Sequence, residues 1–338
     1  MEWSFLPVNE FKQYQGRWNE LNEGNQNQAI LNSEFIKPLL TYYFSDDALF
    51  AIAKENGTIN AMIFLRKKAW GRWETIMPSQ APLCLMVTVD NHLADEFFQS
   101  LCRAIPGFVI QLDFLQLDSK NLELPNSQQY ALSEYIITGN RPVPKIFDDY
   151  FKSLGKNLRQ NYNKVINRAA KANQQLGCYK VDSPEDVIQG VKTYAEIEAK
   201  SWKAELGTAI EPDNIQGKYY TEMMTKLAHK SQACVWFYTI DQLIVACDLC
   251  VTQHHTLIIL KTTFDDAFSK SSPALQMKIE MLQYYSDHPE EGIDNIEFFG
   301  KAMEWHKRLN SDLRPIQHLT WYPHKILLKV INVIKKMK

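Results

Sequence analysis

The stretch that decides the fold is 233–276, which reads ACVWFYTIDQLIVACDLCVTQHHTLIILKTTFDDAFSKSSPALQ. Apolar residues dominate 233–240 and 243–252, and the Asp241-Gln242 pair between them is typical of a tight hairpin turn. A third apolar run covers 255–264. The sequence therefore predicts three strands in close succession.

A helix and a fourth strand are predicted to follow these three. Ser272-Pro273 opens the helix, because serine can cap a helix and proline suits its first turn, and the helix runs to about Tyr285. Residues 295–299 form the next strand. A strand, a crossover helix and another strand imply a mixed sheet with one parallel βαβ step.

The neighbouring elements are predicted from helix caps and apolar spacing. Ser183-Pro184, followed by Glu185 and Asp186, has an N-cap, a proline at the first turn and acids at the positive helix end. Ser153 is interpreted as the cap of a basic helix that Gly177 ends. The other predicted elements are helices at 153–176, 184–202, 215–229 and 302–309 and strands at 178–181 and 315–322.

The first half repeats this order of elements without a repeat at the level of residues. Asn56-Gly57 is a strong hairpin signal between two of its strands. The predicted elements are strands at 3–8, 48–54, 58–65, 72–77 and 108–114 and helices at 9–21, 33–43 and 91–104.

The predicted fold class is α/β (α+β), with two tandem domains that each hold a mixed, mostly antiparallel sheet flanked by helices. The boundary is placed at Arg141-Pro142-Val143-Pro144, because alternating prolines favour extended chain. The predicted domains are 1–144 and 145–323, and a basic amphipathic helix at 324–338 follows them.

Composition restricts the classes of protein that this chain can be. Of 338 residues, 45% are hydrophobic and the net charge is −2, which fits a globular protein without a global basic field for nucleic acid. The six cysteines are predicted to be reduced thiols, since the sequence shows no signal peptide. No apolar run approaches the roughly 20 residues of a membrane span. We expect a cytoplasmic protein, with a peripheral position at the inner membrane face as the alternative.

Five segments of the second half, in the same order along the chain, carry a resemblance to a known family. They are Leu158-Arg159-Gln160-Asn161, Ser201-Trp202-Lys203 with Gly207-Thr208-Ala209, Val235-Trp236-Phe237, Ser272-Pro273-Ala274-Leu275, and Phe299-Gly300 through His306-Lys307. Together they resemble the GNAT acyltransferase fold, and within it the BioF2-like or CelD-like acetyltransferases, whose relatives include Fem-type aminoacyltransferases. The resemblance covers about 151–323 and extends loosely to the first half, which is interpreted as a degenerate GNAT-like domain.

The resemblance implies an acyltransferase that binds acetyl-CoA or another acyl-CoA. In this fold the third strand separates from its neighbour, and its backbone pairs with the pantetheine arm, while the next helix start binds the pyrophosphate. The residues at these places are Lys261, Thr262, Thr263, Phe264, Lys270, Ser272, Pro273, Ala274, Leu275 and Gln276. Two departures from the family are Ala274 in place of glycine and the lack of a tyrosine acid on the helix with Trp305.

Acyl transfer to an amine also needs a group that takes a proton. Glu297, Asp248 and His255 are the candidate bases, and His306 is a candidate acid or base, since histidine titrates near neutral pH. For the two acids the alternative is an ordinary solvent-facing position on a strand.

A metal site is not predicted. Cys247 and Cys250 followed by His254 and His255 have zinc-ligand types, but the two cysteines fall on opposite faces of a strand and the histidines follow too closely to fold back.

Two predicted basic helices are candidate binding surfaces for partners. The helix from Lys156 to Lys171 has three possible interpretations. It binds a phosphorylated or tRNA partner, it binds the 3′-phosphate of coenzyme A, or it is a solvated amphipathic helix. The tail 324–338 either lies on an anionic membrane surface or packs on the core.

Three functions remain open from the sequence. The first is an acyl-CoA-dependent N-acyltransferase, with acetyl as the expected group, that acts on an amine of a small molecule, sugar or envelope precursor. The second is a Fem-type transferase that takes its acyl group from aminoacyl-tRNA, the one reading in which nucleic acid is a partner. The third is a non-catalytic GNAT-fold protein of polysaccharide or envelope assembly.

Overall fold

A computed structural model describes residues 1–44, 47–118, 120, 122–201, 209–211 and 213–325. The chain divides into two compact units. Unit 1 is Met1–Ile137 together with the segment that begins at Pro315, and unit 2 is Thr138–Arg314. This division differs from the predicted domains 1–144 and 145–323, because each unit takes one strand from beyond the predicted boundary.

Unit 1 is a mixed sheet with helices, as predicted for the first half. Its strands lie in the order β1-β2-β3-β4-β6-β13, with β5 against β3. The β4–β6 pair is parallel. The elements are β1 Glu2–Pro7, α1 Gln15–Gly24, α2 Ser33–Tyr43, β2 Leu49–Glu55, β3 Thr58–Ala69, β4 Arg72–Thr75, β5 Met86–Thr88, α3 Asp95–Ala104, β6 Gln111–Asp118 and β13 Asp312–Trp321.

The core of unit 1 forms where α3 packs on the sheet. Phe97, Phe98 and Leu101 of α3 are buried with Phe114 of β6 and Trp321 of β13. The rings of Phe98 and Trp321 stack with centroids 4.6 Å apart. The last strand is therefore part of the core of unit 1, whereas the sequence analysis assigned 315–322 to the second domain.

From β8 to α9 the elements of unit 2 follow the order predicted for the second half, and its strands lie in the order β7-β12-β11-β10-β9-β8. The β11–β12 pair is parallel, as the predicted βαβ step requires. The elements are β7 Tyr130–Pro142, which joins this sheet from Thr138, α4 Phe147–Ser153, α5 Lys156–Lys171, β8 Leu176–Val181, α6 Pro184–Glu198, α7 Ile215–Ala228, β9 Ala233–Ile240, β10 Leu243–Gln253, β11 Thr256–Phe264, α8 Pro273–Asp287, β12 Asn295–Glu297 and α9 Glu304–Arg308.

Local sequence signals account for the turns and caps. Asp241 and Gln242 both have positive φ, 50° and 67°, which is the backbone of the tight hairpin turn predicted there. The Ser183 side chain accepts a hydrogen bond from the Asp186 N–H at 3.2 Å, which caps α6 as predicted. Asn56 and Gly57 have φ of 51° and 81° at the predicted turn of unit 1.

Two predictions for the start of unit 2 are wrong. The helix predicted at 153–176 is α5, Lys156–Lys171: Ser153 ends the preceding helix α4 instead of capping α5, and Gly177 lies inside β8 instead of ending α5. Asn173 takes the left-handed conformation that ends α5, with φ of 53°. Arg141 and Pro142 are extended, as the alternating prolines predicted, and they pair with Ile296 and Asn295 of β12.

Several predicted segments lie outside the described residues. These are Trp202, Lys203, Gly207 and Thr208 of the family-like stretch, and most of the tail predicted at 324–338. Among the described helices, none combines the length and apolar character that crossing a membrane requires.

Candidate functional site

The site begins where two parallel strands of unit 2 part. β11 pairs with β12 at three positions, Thr256 with Asn295, Leu257 with Ile296 and Ile258 with Glu297. β12 ends there, and β11 continues for six more residues to Phe264. The gap predicted between the third strand and its neighbour is therefore present.

A β-bulge bends β11 at the start of this gap. Leu249 of β10 pairs with Lys261, but the next residue, Cys250, pairs with Ile259. Leu260 is thus the extra residue of β11, two positions beyond the last pair with β12. Because a bulge bends its strand and strengthens its twist, β11 changes direction just beyond its last pair with β12.

The start of α8 follows the gap and opens a helix as predicted. Ser272 has φ of 48° between a 3₁₀ turn, Asp266–Ser271, and Pro273. The N–H groups of Leu275 and Gln276 donate to the Ser272 carbonyl at 3.0 and 3.1 Å. Since proline has no N–H, Ala274 supplies the remaining early donor of this helix among the described residues.

A buried ion pair lies behind the gap and links three elements. Asp248 of β10 is 0% exposed and Lys278 of α8 is 3% exposed, and the ammonium contacts the carboxylate Oδ2 directly. Lys278 Nζ is also 3.4 Å from Thr262 Oγ1 of β11. Since a buried charge needs a partner, the pair fixes α8 against the strands that form one side of the gap.

Buried polar atoms near the gap lack partners among the described residues. They are Thr263 Oγ1 of β11, Gln276 Oε1 in the first turn of α8 and Asp248 Oδ1. All three side chains are at most 3% exposed. Because buried polar atoms are normally satisfied, these three atoms are candidates for hydrogen bonds to a ligand.

The opposite face of the sheet holds a second buried carboxylate. Glu198 of α6 is 0% exposed. It accepts hydrogen bonds from Tyr194 Oη and Ile210 N, each at 2.8 Å, and Lys261 Nζ is 3.8 Å away. Burial and the Glu198 charge raise the pKa of Tyr194 well above its usual value, so this phenol stays protonated.

Glu297 lies at the point where the strands part. It is the last β12 residue paired with β11 and is 3% exposed. Its Oε2 is 2.8 Å from Arg314 Nη2, and its Oε1 accepts from the N–H groups of Phe298 and Phe299 at 3.0 and 3.3 Å. These contacts hold the carboxylate in one position at the mouth of the gap.

His306 of α9 is buried and neutral at physiological pH. Its Nδ1 accepts a hydrogen bond from Met303 N–H at 2.8 Å, so the neutral ring carries its proton on Nε2. Burial lowers the pKa of His306 to about 4, and the charge of Lys278 adds to this. From the sequence, His306 is a candidate acid or base because histidine titrates near neutral pH. A pKa of about 4 is too low for that role at pH 7.

The predicted site residues divide between the two faces of the sheet. Asp248 and Thr262 meet Lys278 on the α8 face, while Lys261 lies beside Glu198 on the α6 face. Phe264 packs at the edge of the apolar core, and Lys270 and Ser272 are exposed near the start of α8.

The remaining candidates lie elsewhere or in the apolar interior. His255 is in the turn at the other end of β11, where its Nδ1 is 2.8 Å from the Gly292 carbonyl oxygen. Burial raises the pKa values of the Cys247 and Cys250 thiols well above the ordinary one. In the part of the chain that the structure describes, no group of three or more His, Cys, Asp or Glu side chains could hold a metal ion.

Glu198 and Lys278 were missed from the sequence, although a signal for each exists. Glu198 follows Val187, Val191 and Tyr194 on the buried stripe of α6, at helical spacing. Lys278 likewise shares a stripe with Leu282 of α8. A charged residue at an apolar position of the helical period would have indicated both.

Unit 1 fills the corresponding gap with its own chain. β4 ends at Thr75 whereas its parallel neighbour β6 runs on to Asp118. Cys84 N–H donates to the Gln116 carbonyl oxygen of β6 at 2.9 Å, which places the 83–85 segment beside that strand. The cavity left there measures about 10 Å³, barely the space of one water molecule.

Comparison with known proteins gives one family match, to part of unit 2, and structures of similar fold. Residues 156–308 match the family model described as an acetyltransferase (GNAT) domain. The crystal structure of FemX is similar over 98% of this chain and 100% of that one, with 12% identity and a TM-score of 0.58. The C-terminal domain of a putative lysylphosphatidylglycerol synthetase from Agrobacterium fabrum is similar over 95% of both chains, with 11% identity and a TM-score of 0.53.

At these identities the two structures show a shared fold and no more. No curated protein sequence matches the chain. The family match and the fold confirm the prediction of a GNAT-fold acyltransferase related in structure to a Fem protein.

Proposed function

We propose that this GNAT-fold acyltransferase takes its acyl group from an acyl-CoA thioester, acetyl-CoA being the simplest donor, and transfers it to an amine. The acceptor is the amine of a small molecule, sugar or envelope precursor. The observation that carries this proposal is that pairing with β12 ends at the Ile258–Glu297 pair, while β11 runs on to Phe264, a few residues before α8 begins at Pro273.

The gap suits a donor that is long, thin and rich in amides. A strand that extends beyond the end of its neighbour presents a free edge, and an extended ligand can pair with this edge through backbone hydrogen bonds. The residues of β11 beyond Ile258 are that edge in this proposal, and Thr263 and Gln276 would satisfy their buried oxygens on the ligand. The donor's phosphates would lie at the start of α8, where the Ala274 N–H and the exposed Lys270 supply positive charge.

The reaction forms one bond and breaks one. The acceptor nitrogen attacks the thioester carbonyl carbon, the C–S bond breaks, and a proton passes from nitrogen to a base while the thiolate of coenzyme A leaves. Among the proposed bases, Glu297 lies at the mouth of the gap, whereas Asp248 is closed off by Lys278. We therefore assign the proton transfer to Glu297 and the positioning of β10, β11 and α8 to the Asp248–Lys278 pair.

Release of free thiol from acetyl-CoA and longer acyl-CoAs, measured with a panel of amines, tests this function. Glu297→Gln should lower kcat by roughly 100-fold, the usual contribution of a general base, and leave acyl-CoA binding unchanged. Glu304→Gln, at an exposed carboxylate of α9, is the matched control. A chain that binds no acyl-CoA by calorimetry would exclude this donor.

A second candidate is a transferase that uses aminoacyl-tRNA. One face of α5 with Gln160, Lys164, Arg168 and Lys171 lines an open depression of about 480 Å³, which suits a polyanion. Lys164→Glu with Arg168→Glu should abolish activity under this function alone, and Lys218→Glu at another exposed position is the control.

A further inference from the structure

Trp70 in the turn of the β3–β4 hairpin and Phe108 in the segment before β6 form an exposed aromatic pair, which we call the aromatic tip. Trp70 is 73% exposed and Phe108 57% exposed, more than any other aromatic residue that the structure describes. Their ring centroids are 5.7 Å apart. Exposed apolar surface of this kind marks an interaction site more often than a random surface position does.

Backbone contacts hold the two loops of the aromatic tip together. The Gly71 carbonyl oxygen accepts hydrogen bonds from Ile110 N at 2.7 Å and Gln111 N at 3.1 Å, so the hairpin is joined to the segment that carries Phe108. Gly71 has φ of +65°, and a Cβ there would lie 2.8 Å from the Ile110 side chain. This close approach leaves no room for a side chain at position 71.

Basic residues surround the aromatic tip. The hairpin reads Arg66-Lys67-Lys68-Ala69-Trp70-Gly71-Arg72, four cations in seven residues. Glu74 is buried beneath them and pairs with Arg66 at 2.7 Å and Lys68 at 2.6 Å. Lys67 and Arg72 are exposed. The outer surface is therefore positively charged around two apolar rings.

We propose that the aromatic tip docks unit 1 on the surface of an anionic lipid bilayer. Tryptophan and phenylalanine insert at the level of the lipid headgroups, and basic side chains beside them meet the phosphates. The rings already contact each other, which leaves no slot between them for a stacked base. Trp70 also lies in the two-residue turn of the hairpin, and a protruding turn suits insertion into a bilayer better than it suits the grooves along which single-stranded RNA stacks its bases.

This surface is distinct from the tail 324–338, for which the sequence also predicts membrane contact. To distinguish binding by the aromatic tip from binding by the tail, every variant keeps the whole chain, including the tail. Substitutions are then confined to exposed residues of the aromatic tip, and thermal unfolding of each variant confirms that the fold is retained.

Sedimentation with vesicles of phosphatidylglycerol and phosphatidylcholine, and with phosphatidylcholine alone, tests the proposal. The protein should bind the anionic vesicles and bind less as salt is added. Trp70→Ser with Phe108→Ser should weaken binding by roughly tenfold per ring. Lys67→Gln and Arg72→Gln should each weaken it by about fivefold. Leu243→Ser, which removes a 53% exposed leucine from the first position of β10 in unit 2, is the matched control and should bind as the wild type does.

Fluorescence quenching by brominated lipids gives a second readout. The quenching seen in the wild type should fall in Trp70→Phe, which keeps an aromatic side chain but removes the exposed indole. Absence of binding to anionic vesicles would overturn the proposal, as would tip variants that bind as the wild type does. Binding to a single-stranded RNA oligonucleotide without binding to vesicles would assign the surface to nucleic acid instead.

Discussion

Asp248 and Lys278 place two opposite charges inside unit 2, between β10 and α8. Removing one partner leaves the other charge buried and uncompensated. We expect Lys278→Met to lower the free energy of unfolding of unit 2 by about 3–5 kcal/mol. Urea denaturation followed by circular dichroism measures it.

The control for this prediction is Lys307→Met, at a lysine whose side chain is 63% exposed, which should change stability by no more than about 0.5 kcal/mol. Asp248→Asn combined with Lys278→Met removes both charges and should recover most of the loss. Equal stability of Lys278→Met and the wild type would contradict the role given to the pair.

His306 makes stability depend on pH in a defined window. Its pKa is about 4 in the folded protein against 6.5 for a free side chain, because burial disfavours the charged ring. Between these values the unfolded chain binds a proton that the folded chain does not. The contribution of His306 is therefore complete above about pH 6.5 and is lost as the pH falls towards 4.

The free energy of unfolding, measured from pH 7.5 to pH 4.5, checks the direction of this pH dependence. The free energy of unfolding should fall less steeply in His306→Gln than in the wild type, since glutamine does not titrate. Identical slopes for the two proteins would show that His306 is not held neutral by its surroundings.

At the residue scale the sequence predicted Glu297 and Asp248 as site residues but not their partners. Arg314 and Lys278 reach them from other elements, and such pairing is set by the packing of the fold rather than by local sequence. The residues of β11 and α8 were predictable because their place in the chain follows from the order of the elements.

At the scale of elements, α6 approaches β9 very closely through Gly190. A Cβ at Gly190 would lie 2.8 Å from Val235 Cγ2, and Val235 is fully buried. We expect Gly190→Ala to lower the free energy of unfolding by about 1–3 kcal/mol through overpacking. Chemical denaturation of the purified variant measures it.

A double-mutant cycle with Val235→Ala tests whether the contact with Val235 causes the loss of stability in Gly190→Ala. The smaller side chain makes room for the new methyl group, so the double variant should be more stable than the sum of the two single losses predicts. Gly24→Ala, where a Cβ meets nothing within 4 Å, is the matched control and should cost nothing measurable. Strict additivity would mean that the contact does not limit packing.

Elements with local signals were predictable, and those defined by distant partners were not. The span 233–240 was predicted to the residue, since the Asp241-Gln242 turn fixes its end. β7 was missed, because its residues alternate poorly and its last segment gains its partner from β12. The end of α5 was misplaced because Asn173, not Gly177, takes the left-handed conformation.

At the scale of the whole molecule, the two units use one architecture differently. Each has a parallel strand pair that ends early, β4–β6 in unit 1 and β11–β12 in unit 2. Unit 1 places its own 83–85 segment beside β6, whereas in unit 2 the residues of β11 beyond Ile258 have no β12 partner and lie near buried oxygens that lack partners among the described residues. The proposed donor site is therefore confined to unit 2.

Hydrogen–deuterium exchange with and without acetyl-CoA tests this central claim most directly. The account predicts slower exchange in β11 from Leu260 to Phe264 and in the first turn of α8, with no change in the 76–86 region of unit 1. Unchanged exchange at β11 and α8 under saturating acetyl-CoA, or protection confined to unit 1, would contradict it.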